Sequence, residues 1–254
     1  MTKIVLITGA SSGIGEACAY QFAQGGYKLI LNGRNIEKLQ AIKTDLEHQY
    51  NSEVLLLPFD VRDRQAAQQA IESIPADFQD IDVLVNNAGL ALGVDKMHEA
   101  PDWHYDTMIE TNITALLMIT RMIVPGMVAR NRGHIINIGS VAGDAAYPGG
   151  SVYCATKAAV KVLSDGLRMD LMHTPIRVTN VKPGLVETNF SVTRFEGDKQ
   201  RADNVYKGIQ PLTGKDIADV VYYAASAPQH VQIAEVLVLA THQASGTQVY
   251  REGN

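Results

Sequence analysis

The chain is poor in the residues that build metal centres and disulfide frameworks. Only two of its 254 residues are cysteines, Cys18 and Cys154, and they are far apart, without the spacing of a zinc site or a disulfide pair. His98 and His104 are the nearest pair among seven histidines. Their spacing fits neither a helical metal motif nor a zinc finger, so we expect surface histidines and no bound metal.

Clustered positive charge and long apolar runs are also missing. The formal net charge is −5 and there is no run of lysine or arginine, which argues against nucleic acid as a partner because a phosphate backbone requires clustered cations. The apolar segment 113–128 is interrupted by Arg121 and Pro125. The apolar run 4–7 is too short for the core of a signal peptide. We therefore expect a cytoplasmic protein without a membrane partner.

Short apolar runs alternate with longer helical patterns along the chain. Near-continuous apolar strands separated by helices predict a parallel sheet covered on both faces, the doubly wound arrangement of a Rossmann fold. A chain of 254 residues that is 46% hydrophobic can bury one substantial core, so we expect a single α/β domain over 1–254. The seven candidate strands are 4–7, 29–31, 54–57, 83–85, 134–138, 178–181 and 236–239.

A glycine-rich turn follows the first candidate strand. Gly9, Gly13 and Gly15 lead into an amphipathic helix, so free N–H groups and the positive helix end, roughly half a charge, would face a diphosphate. The spacing differs from the common Gly-x-Gly-x-x-Gly motif and lacks the Lys-Ser/Thr ending of a nucleotide-hydrolysing loop. The alternative interpretation is a tight strand-to-helix turn that binds no ligand.

The end of the second candidate strand indicates which dinucleotide is bound. A site for NAD usually has an acidic residue here, whereas an arginine accommodates the extra phosphate of NADP. No acid occurs in residues 31–35, and Arg34 offers a planar guanidinium suited to phosphate, with Ser11 as a second donor. Although a solvent-exposed loop arginine is the alternative, the pattern favours NADP(H).

Tyr153 and Lys157 lie four residues apart in a predicted helix, so their side chains share one face. An unperturbed tyrosine has a pKa of about 10. A neighbouring ammonium and an oxidised nicotinamide would lower that pKa, and Tyr153 would then exchange a proton with a carbonyl or alcohol oxygen. Ser140, just after a predicted strand, is placed to hold this oxygen. By themselves, Tyr153 and Lys157 would also fit an ordinary helix surface.

Over essentially its whole length, the chain resembles the short-chain dehydrogenase/reductase family. The segments that carry the resemblance are 8–15, 60–61, 86–89 and 183–188, together with Asn112, Ser140, Tyr153 and Lys157 in that order.

The resemblance implies a catalytic set in which Tyr153 is the acid/base and Ser140 binds the carbonyl. Lys157 would also hold the nicotinamide ribose, and Asn112 would position a proton-relay water. Asp60 and Val61 would meet the adenine, residues 87–89 the adenosine-side ribose, and Val186 and Thr188 the carboxamide. The predicted cofactor contacts are Gly9, Ser11, Ser12, Gly13, Ile14, Gly15, Arg34, Asp60, Val61, Asn87, Ala88, Gly89, Tyr153, Lys157, Pro183, Gly184, Val186 and Thr188.

Within this family, segments 86–93, 133–140, 147–150 and 192–198 resemble the NADP-dependent 3-hydroxy acid dehydrogenases and the sulfoacetaldehyde reductases. Both types act on a carbon near a fixed anion, so the resemblance implies a small anionic substrate: sulfoacetaldehyde/isethionate, 3-hydroxypropionate or serine.

The candidate anion binders are Arg194, in the irregular segment 185–212 that we expect to form a mobile loop over the site, and Arg251, in the C-terminal tail 241–254. The tail with Arg251 would reach the site of a neighbouring subunit. A solvated loop charge for Arg194 and a frayed terminus for Arg251 are the alternatives. Tyr147, followed by two glycines, would complete a small substrate pocket together with Ser140 and Tyr153.

The helical patterns 108–128 and 152–171 are apolar around much of their circumference, which suits one face in the core and one against another subunit. The family resemblance implies a homotetramer, although plain buried helices would look similar. A non-catalytic NADP(H)-binding regulator or scaffold is the alternative to an enzyme.

Overall fold

The computed structural model describes residues 2–253, and a seven-stranded sheet lies at its centre. Every neighbouring pair of strands in this sheet is parallel, which confirms the predicted doubly wound α/β arrangement. All seven predicted strands are present in it. In spatial order they are β3 (Val54–Pro58), β2 (Lys28–Gly33), β1 (Ile4–Ile7), β4 (Ile81–Asn86), β5 (His134–Ile138), β6 (Arg177–Pro183) and β9 (Glu235–Val238).

Helices cover both faces of the sheet, because alternate residues of each strand point to opposite sides. Val5 and Ile7 of β1 belong to one apolar cluster, and Ile4 and Leu6 to the other. The first cluster is completed by three helices: α1 (Gly13–Gln24), α2 (Ile36–Tyr50) and α9 (Gly214–Ser226). The second is completed mainly by α3 (Arg64–Glu72), α5 (Ala115–Ala129) and the end of α6 (Ser151–Asp170).

Strand order reverses between the central strands β1 and β4. From β1 the chain proceeds to β2 and β3 on one side, and from β4 it proceeds to β5, β6 and β9 on the other. The loops that leave the carboxyl ends of β1 and β4 therefore diverge and open a crevice, which is where open α/β sheets bind ligands.

A long helical stretch runs from Asp102 to Ala129. It comprises α4 (Asp102–Ile109), a π-helical turn (Glu110–Thr114) and α5, and it contains Pro125. Within residues 2–253 this is the one stretch long and apolar enough to span a membrane, with a mean hydropathy of 1.5 over an 18-residue window. Because α5 packs against β4 and α3, the stretch forms part of the covering layer of the sheet.

The segment 185–212 is more regular than we expected from its sequence. It contains β7 (Val186–Glu187), α7 (Phe190–Arg194) and α8 (Lys199–Asn204), and β7 pairs in parallel with β8 (Leu212–Thr213). These helices have only five and six residues, too few for an apolar repeat to be recognised.

The C-terminal tail also has defined structure up to residue 253, with an antiparallel bridge between Gln243 and Val249. The outermost residues of the predicted domain and tail, Met1 and Asn254, lie outside the described residues.

Candidate active site

A cavity of about 680 Å³ opens at the carboxyl ends of the strands. The loops after β1 to β6 form its walls, and residues 185–212, which we call the lid, contribute another wall. All of the predicted site residues line this cavity except Gly15, Asn112 and Arg251.

The turn after β1 approaches the neighbouring loop so closely that it requires glycine. Gly9 has a φ of +67°, a conformation that disfavours residues with a side chain. A Cβ on Gly15 would lie 2.4 Å from both the Gly9 carbonyl oxygen and the Asn87 Nδ2. Gly15 therefore stands behind the cavity wall and allows α1 to begin directly at the turn, with its positive end facing the cavity.

Side-chain hydrogen bonds join this turn to the loop after β4. Asn87 Nδ2 donates to the carbonyl oxygens of Thr8 and Gly9, at 2.9 and 3.1 Å. In return, the Thr8 hydroxyl accepts from the backbone N–H groups of Asn87 and Ala88, at 3.0 and 3.1 Å. The two loops are thereby held as one unit that forms part of the cavity wall.

Cations gather where the cavity reaches the ends of β2 and β3. Arg34 is 67% exposed and lies 3.7 Å from Asp60, which also forms a 2.8 Å ion pair with Arg62. The hydrogen bond from Arg62 holds the pKa of Asp60 below its usual range, so Asp60 is ionised. Lys38 lines the same end, and Ser11 lies beside Gly33. Among the residues that line this end, three cations face one carboxylate, and Glu110 lies 4.0 Å from Arg62 outside the lining. The excess of positive charge in the lining suits a phosphate.

At the opposite end, Tyr153 and Ser140 share the cavity wall. Tyr153 lies in the first turn of α6, and Ser140 follows β5. The Ser140 hydroxyl accepts a 3.1 Å hydrogen bond from the Ala142 N–H, which orients it within the turn. Burial raises the pKa of Tyr153, and hydrogen bonding by Ser140 opposes this rise. The raised pKa differs from the lowering that we expected, because the desolvation of the phenolate dominates in the protein alone.

Lys157 lies one helical turn after Tyr153, as its spacing predicted. Its Nζ is 5.9 Å from the centre of the Tyr153 ring and donates a 2.9 Å hydrogen bond to the Ile138 carbonyl oxygen. Burial lowers the pKa of Lys157 to about 8. This ammonium is thus held by β5 and loses its proton far more readily than an exposed lysine.

Asn112 lies behind the cavity, in the π-helical turn between α4 and α5. Its Oδ1 accepts from the Leu90 N–H at 2.9 Å, and its Nδ2 donates to the Leu90 carbonyl and the Thr156 hydroxyl, at 2.8 and 3.0 Å. The side chain therefore ties the loop after β4 to α6, next to Lys157. π-Helical turns are frequent at functional sites.

The lid contributes a cation to the cavity near Tyr153. Arg194 donates from Nη1 to the Tyr147 hydroxyl and from Nε to the Gly93 carbonyl, both at 3.1 Å. Its positive charge acts to lower the pKa of Tyr153. Within residues 2–253 no carboxylate forms an ion pair with Arg194, so its charge is open to an anion in the cavity.

One of our expectations, for His104, fails in the structure, whereas that for Arg251 as a binder of the substrate anion stays a prediction. Arg251 does not reach the cavity of its own subunit, because its guanidinium is bonded to the carbonyl oxygens of Val205 and Lys207. His104 is not on the surface: it is 2% exposed, with Nε2 3.2 Å from Glu196 of the lid. The spacing of histidines in the sequence carries no information about which of them a lid will cover.

Residues 3–199 match the family description of the short chain dehydrogenases, and this range contains the glycine turn, the loop after β4 and the Ser140, Tyr153 and Lys157 cluster. The chain belongs to this family. It is accordingly an oxidoreductase that acts on CH–OH groups or the corresponding carbonyls.

Individual relatives cover nearly the whole chain. It is 47% identical to the NADP-dependent 3-hydroxy acid dehydrogenase of Schizosaccharomyces pombe, over 98% of this chain and 97% of that protein. It is 42% identical to the serine 3-dehydrogenase of Rhizobium radiobacter, over 99% and 100%. Among solved structures, the closed form of a serine dehydrogenase complexed with NADP⁺ superposes with a TM-score of 0.91 at 45% identity, covering 98% of this chain and 100% of that one.

Several residues of the cavity were not found from the sequence. Lys38 and Arg62 enlarge the cationic end, and an excess of basic residues after β2 and β3 was the available signal. Phe190 packs against Tyr153, with ring centres 5.7 Å apart, and Gln243 enters from the tail. Phe190 and Gln243 belong to no sequence motif that we recognised, because they reach the cavity only when the lid and the tail fold.

We expect Arg34→Ala to weaken NADPH binding about 10- to 100-fold, because a hydrogen-bonded charge pair contributes about 1.5–3 kcal/mol. NADH lacks the additional phosphate of NADPH that Arg34 is expected to bind, so NADH binding should change little. Fluorescence titration of both nucleotides measures this difference. Arg64→Ala, which removes an exposed arginine of α3 outside the cavity, is the matched control. Equal losses for NADPH and NADH would contradict the assignment.

Proposed function

We propose that this short-chain dehydrogenase is NADP(H)-dependent and interconverts a small 3-hydroxy acid and its carbonyl counterpart. The observation that carries the proposal is Arg194, a lid cation without a carboxylate partner in residues 2–253, which lines the cavity beside Tyr147 and influences Tyr153. The cationic end of the cavity around Arg34 and Lys38 suits the additional phosphate of NADP(H). The name of the Schizosaccharomyces pombe relative agrees with both assignments, and that of the serine 3-dehydrogenase agrees with a hydroxy acid substrate.

NADPH, when bound, supplies the hydride that reduces the carbonyl carbon. Tyr153 is the general acid that protonates the carbonyl oxygen, and it takes up the same proton during alcohol oxidation. Its raised pKa keeps the phenol protonated near neutral pH, as the reductive direction requires. Ser140 positions the reacting oxygen by a hydrogen bond. The geometry limits the reaction to a carbonyl that fits between Ser140, Tyr153 and the lid.

Lys157 and Asn112 support this acid. The Lys157 ammonium stabilises negative charge that develops on the Tyr153 oxygen when it gives up its proton. In our assignment it also holds the nicotinamide ribose. Asn112 fixes the loop that passes Lys157, which keeps the position of a proton-relay water constant. A chain with this complete set is assigned as an active enzyme rather than as a binding regulator or scaffold.

The substrate anion is assigned as a carboxylate, with the sulfonate of sulfoacetaldehyde as the second candidate. Arg194 binds a planar carboxylate through two parallel N–H groups, and carboxylate geometry matches this fork. A sulfonate oxygen pair would accept the same two bonds. Agreement with the hydroxy-acid relatives favours 3-hydroxypropionate or serine over isethionate.

We also propose that the protein is a cytoplasmic homotetramer formed by one domain. The outer faces of α5 and α6 carry exposed apolar residues, which a monomer would leave in water. Leu117 and Val128 are 44% and 38% exposed on α5, and Val162 and Met169 are 68% and 69% exposed on α6. An interface between copies of these helices would bury them.

We expect Tyr153→Phe to lower kcat about 10²- to 10⁴-fold, since this is the usual contribution of a general acid. NADPH affinity should stay within a few fold, because the ring and Lys157 remain. Steady-state kinetics and NADPH fluorescence test the two statements. Tyr223→Phe, at an exposed residue of α9, is the control. Retention of most activity in Tyr153→Phe would contradict the assignment of the acid.

Carbonyl reduction should also decline at alkaline pH. The folded-state pKa of Lys157 is lowered to about 8, so its ammonium is present below this pH and is lost above it. The value of kcat/KM for NADPH-dependent reduction should therefore be level from pH 6 to about 8 and fall at higher pH. A neutral aldehyde is the test substrate because it does not ionise. A level profile up to pH 10 would contradict a role for the ammonium.

Arg194→Ala should raise the KM for malonic semialdehyde about 10- to 100-fold, because it removes a charge-assisted pair of hydrogen bonds. The KM for a neutral short aldehyde should rise much less, and the ratio of the two isolates anion binding from damage to the lid. Parallel assays with sulfoacetaldehyde rank the two anions. Lys199→Ala removes an exposed lid cation and serves as the control. Equal effects on neutral and anionic aldehydes would contradict our assignment.

A further inference from the structure

The C-terminal tail folds back on itself as a hairpin. Gln243 and Val249 form an antiparallel bridge, and hydrogen bonds join Ala244 to Gln248 and Tyr250 to His242, both at 2.9 Å. The Ser245 hydroxyl closes the turn by accepting from the backbone N–H groups of residues 247 and 248, at 3.3 and 3.0 Å. A tail built this way has a fixed shape rather than a frayed end.

One strand of this hairpin holds the beginning of the lid. Gln243 is 5% exposed, and its Oε1 accepts a 2.8 Å hydrogen bond from the Leu185 N–H. Its Nε2 donates to the Ser245 carbonyl at 2.9 Å, so the amide cannot turn away without losing both bonds. Gly184 lies so close to the tail that a Cβ there would be 2.2 Å from Gln243 Oε1. The first residue of the lid is therefore fixed by the tail.

The other strand of the hairpin holds the end of the lid. Arg251 donates from Nη1 to the Lys207 carbonyl at 2.5 Å and from Nη2 to the Val205 carbonyl at 3.0 Å. The Glu252 N–H donates to the Gly208 carbonyl at 2.8 Å. Gly208 has a φ of +75°, and a Cβ there would lie 3.0 Å from the Glu252 carbonyl oxygen. Both strands of the tail thus contact the lid where it meets the rest of the fold.

Tyr206 links the segment that Arg251 holds to the wall of the cavity. It lies between the two carbonyls that Arg251 binds, and its hydroxyl donates to the Val186 carbonyl at 2.9 Å and accepts from the Ser191 hydroxyl at 2.6 Å. Val186, Ser191 and Tyr206 all line the cavity. Displacement of residues 205–208 would therefore move the wall that faces the substrate and the start of α7, which ends at Arg194.

We infer that the C-terminal tail clamps both ends of the lid and that Arg251 is a positioning residue for the reaction. Arg251 acts through the carbonyl oxygens of residues 205 and 207 and makes no contact with the cavity of its own subunit. Its loss shifts the lid towards open positions and weakens binding of every substrate that the closed lid covers. This inference rests on the proposed function only for its kinetic consequence, since the clamp itself is independent of the substrate.

The test measures lid opening and kinetics in the same full-length variants. Arg251→Ala should increase tryptic cleavage at the lid sites Arg194, Lys199, Arg201 and Lys207, because proteolysis tracks the population of the open form. An increase of about tenfold is expected for the loss of two hydrogen bonds to one charged group. Arg251→Lys retains the positive charge but loses the two donors of the guanidinium, so its rate of tryptic cleavage should be intermediate. Glu252→Ala keeps the backbone N–H and is the matched control.

Steady-state kinetics distinguish a positioning role of Arg251 from direct binding of the substrate anion by Arg251. Arg251→Ala should raise the KM of malonic semialdehyde and of a neutral aldehyde by similar factors, with a smaller change in kcat. A loss confined to the anionic substrate, with unchanged lid cleavage, would overturn the inference and assign Arg251 to the anion site of another subunit. Unchanged cleavage in a chain ended at Tyr250 would also overturn it.

Thermal unfolding of each variant shows whether the whole protein, rather than the lid, has been destabilised. If Arg251→Ala fails to fold, Arg251→Lys still decides the outcome. Should the wild-type enzyme reduce none of the named aldehydes, the proposed function fails, while the cleavage rates still test the clamp.

Discussion

The close approach of the loops after β1 and β4 is the constraint on which the rest of the site depends. Asn87 bonds to two carbonyls of the first loop, and the absence of a side chain at Gly15 leaves room for it. The helix that begins at Gly13 can therefore point its positive end into the crevice. Any side chain at Gly15 would push the loops after β1 and β4 apart.

Burial sets the pKa values of the two titratable groups at the other end of the cavity. Lys157 and Tyr153 occupy adjacent turns of α6, and removal from water lowers the pKa of the ammonium while raising that of the phenol. Near neutral pH, Tyr153 is therefore a neutral phenol, and Lys157, with a pKa of about 8, still carries its proton. The hydrogen bond from Lys157 to β5 keeps their separation constant.

The lid is stabilised from outside the cavity. Besides the packing of Phe190 against Tyr153, its position depends on polar contacts with distant parts of the chain. Arg194 bonds to the loop near Gly93, Glu196 meets the buried His104, and the tail holds both ends. These contacts are few and solvent-accessible in part, which suits a segment that must release product as well as enclose substrate.

The sequence by itself determined the parallel sheet and the glycine turn that lines the cavity, because apolar runs and glycine turns act over a few neighbouring residues. It also placed Tyr153 and Lys157 on one helical face, since the spacing of four follows from helix geometry. Only the tertiary structure decided the roles of His104, Gln243 and Arg251. Their partners lie 58 residues away for Gln243 and 44 and 46 for Arg251. Contacts over such separations are set by how the lid and tail pack, and local patterns do not encode them.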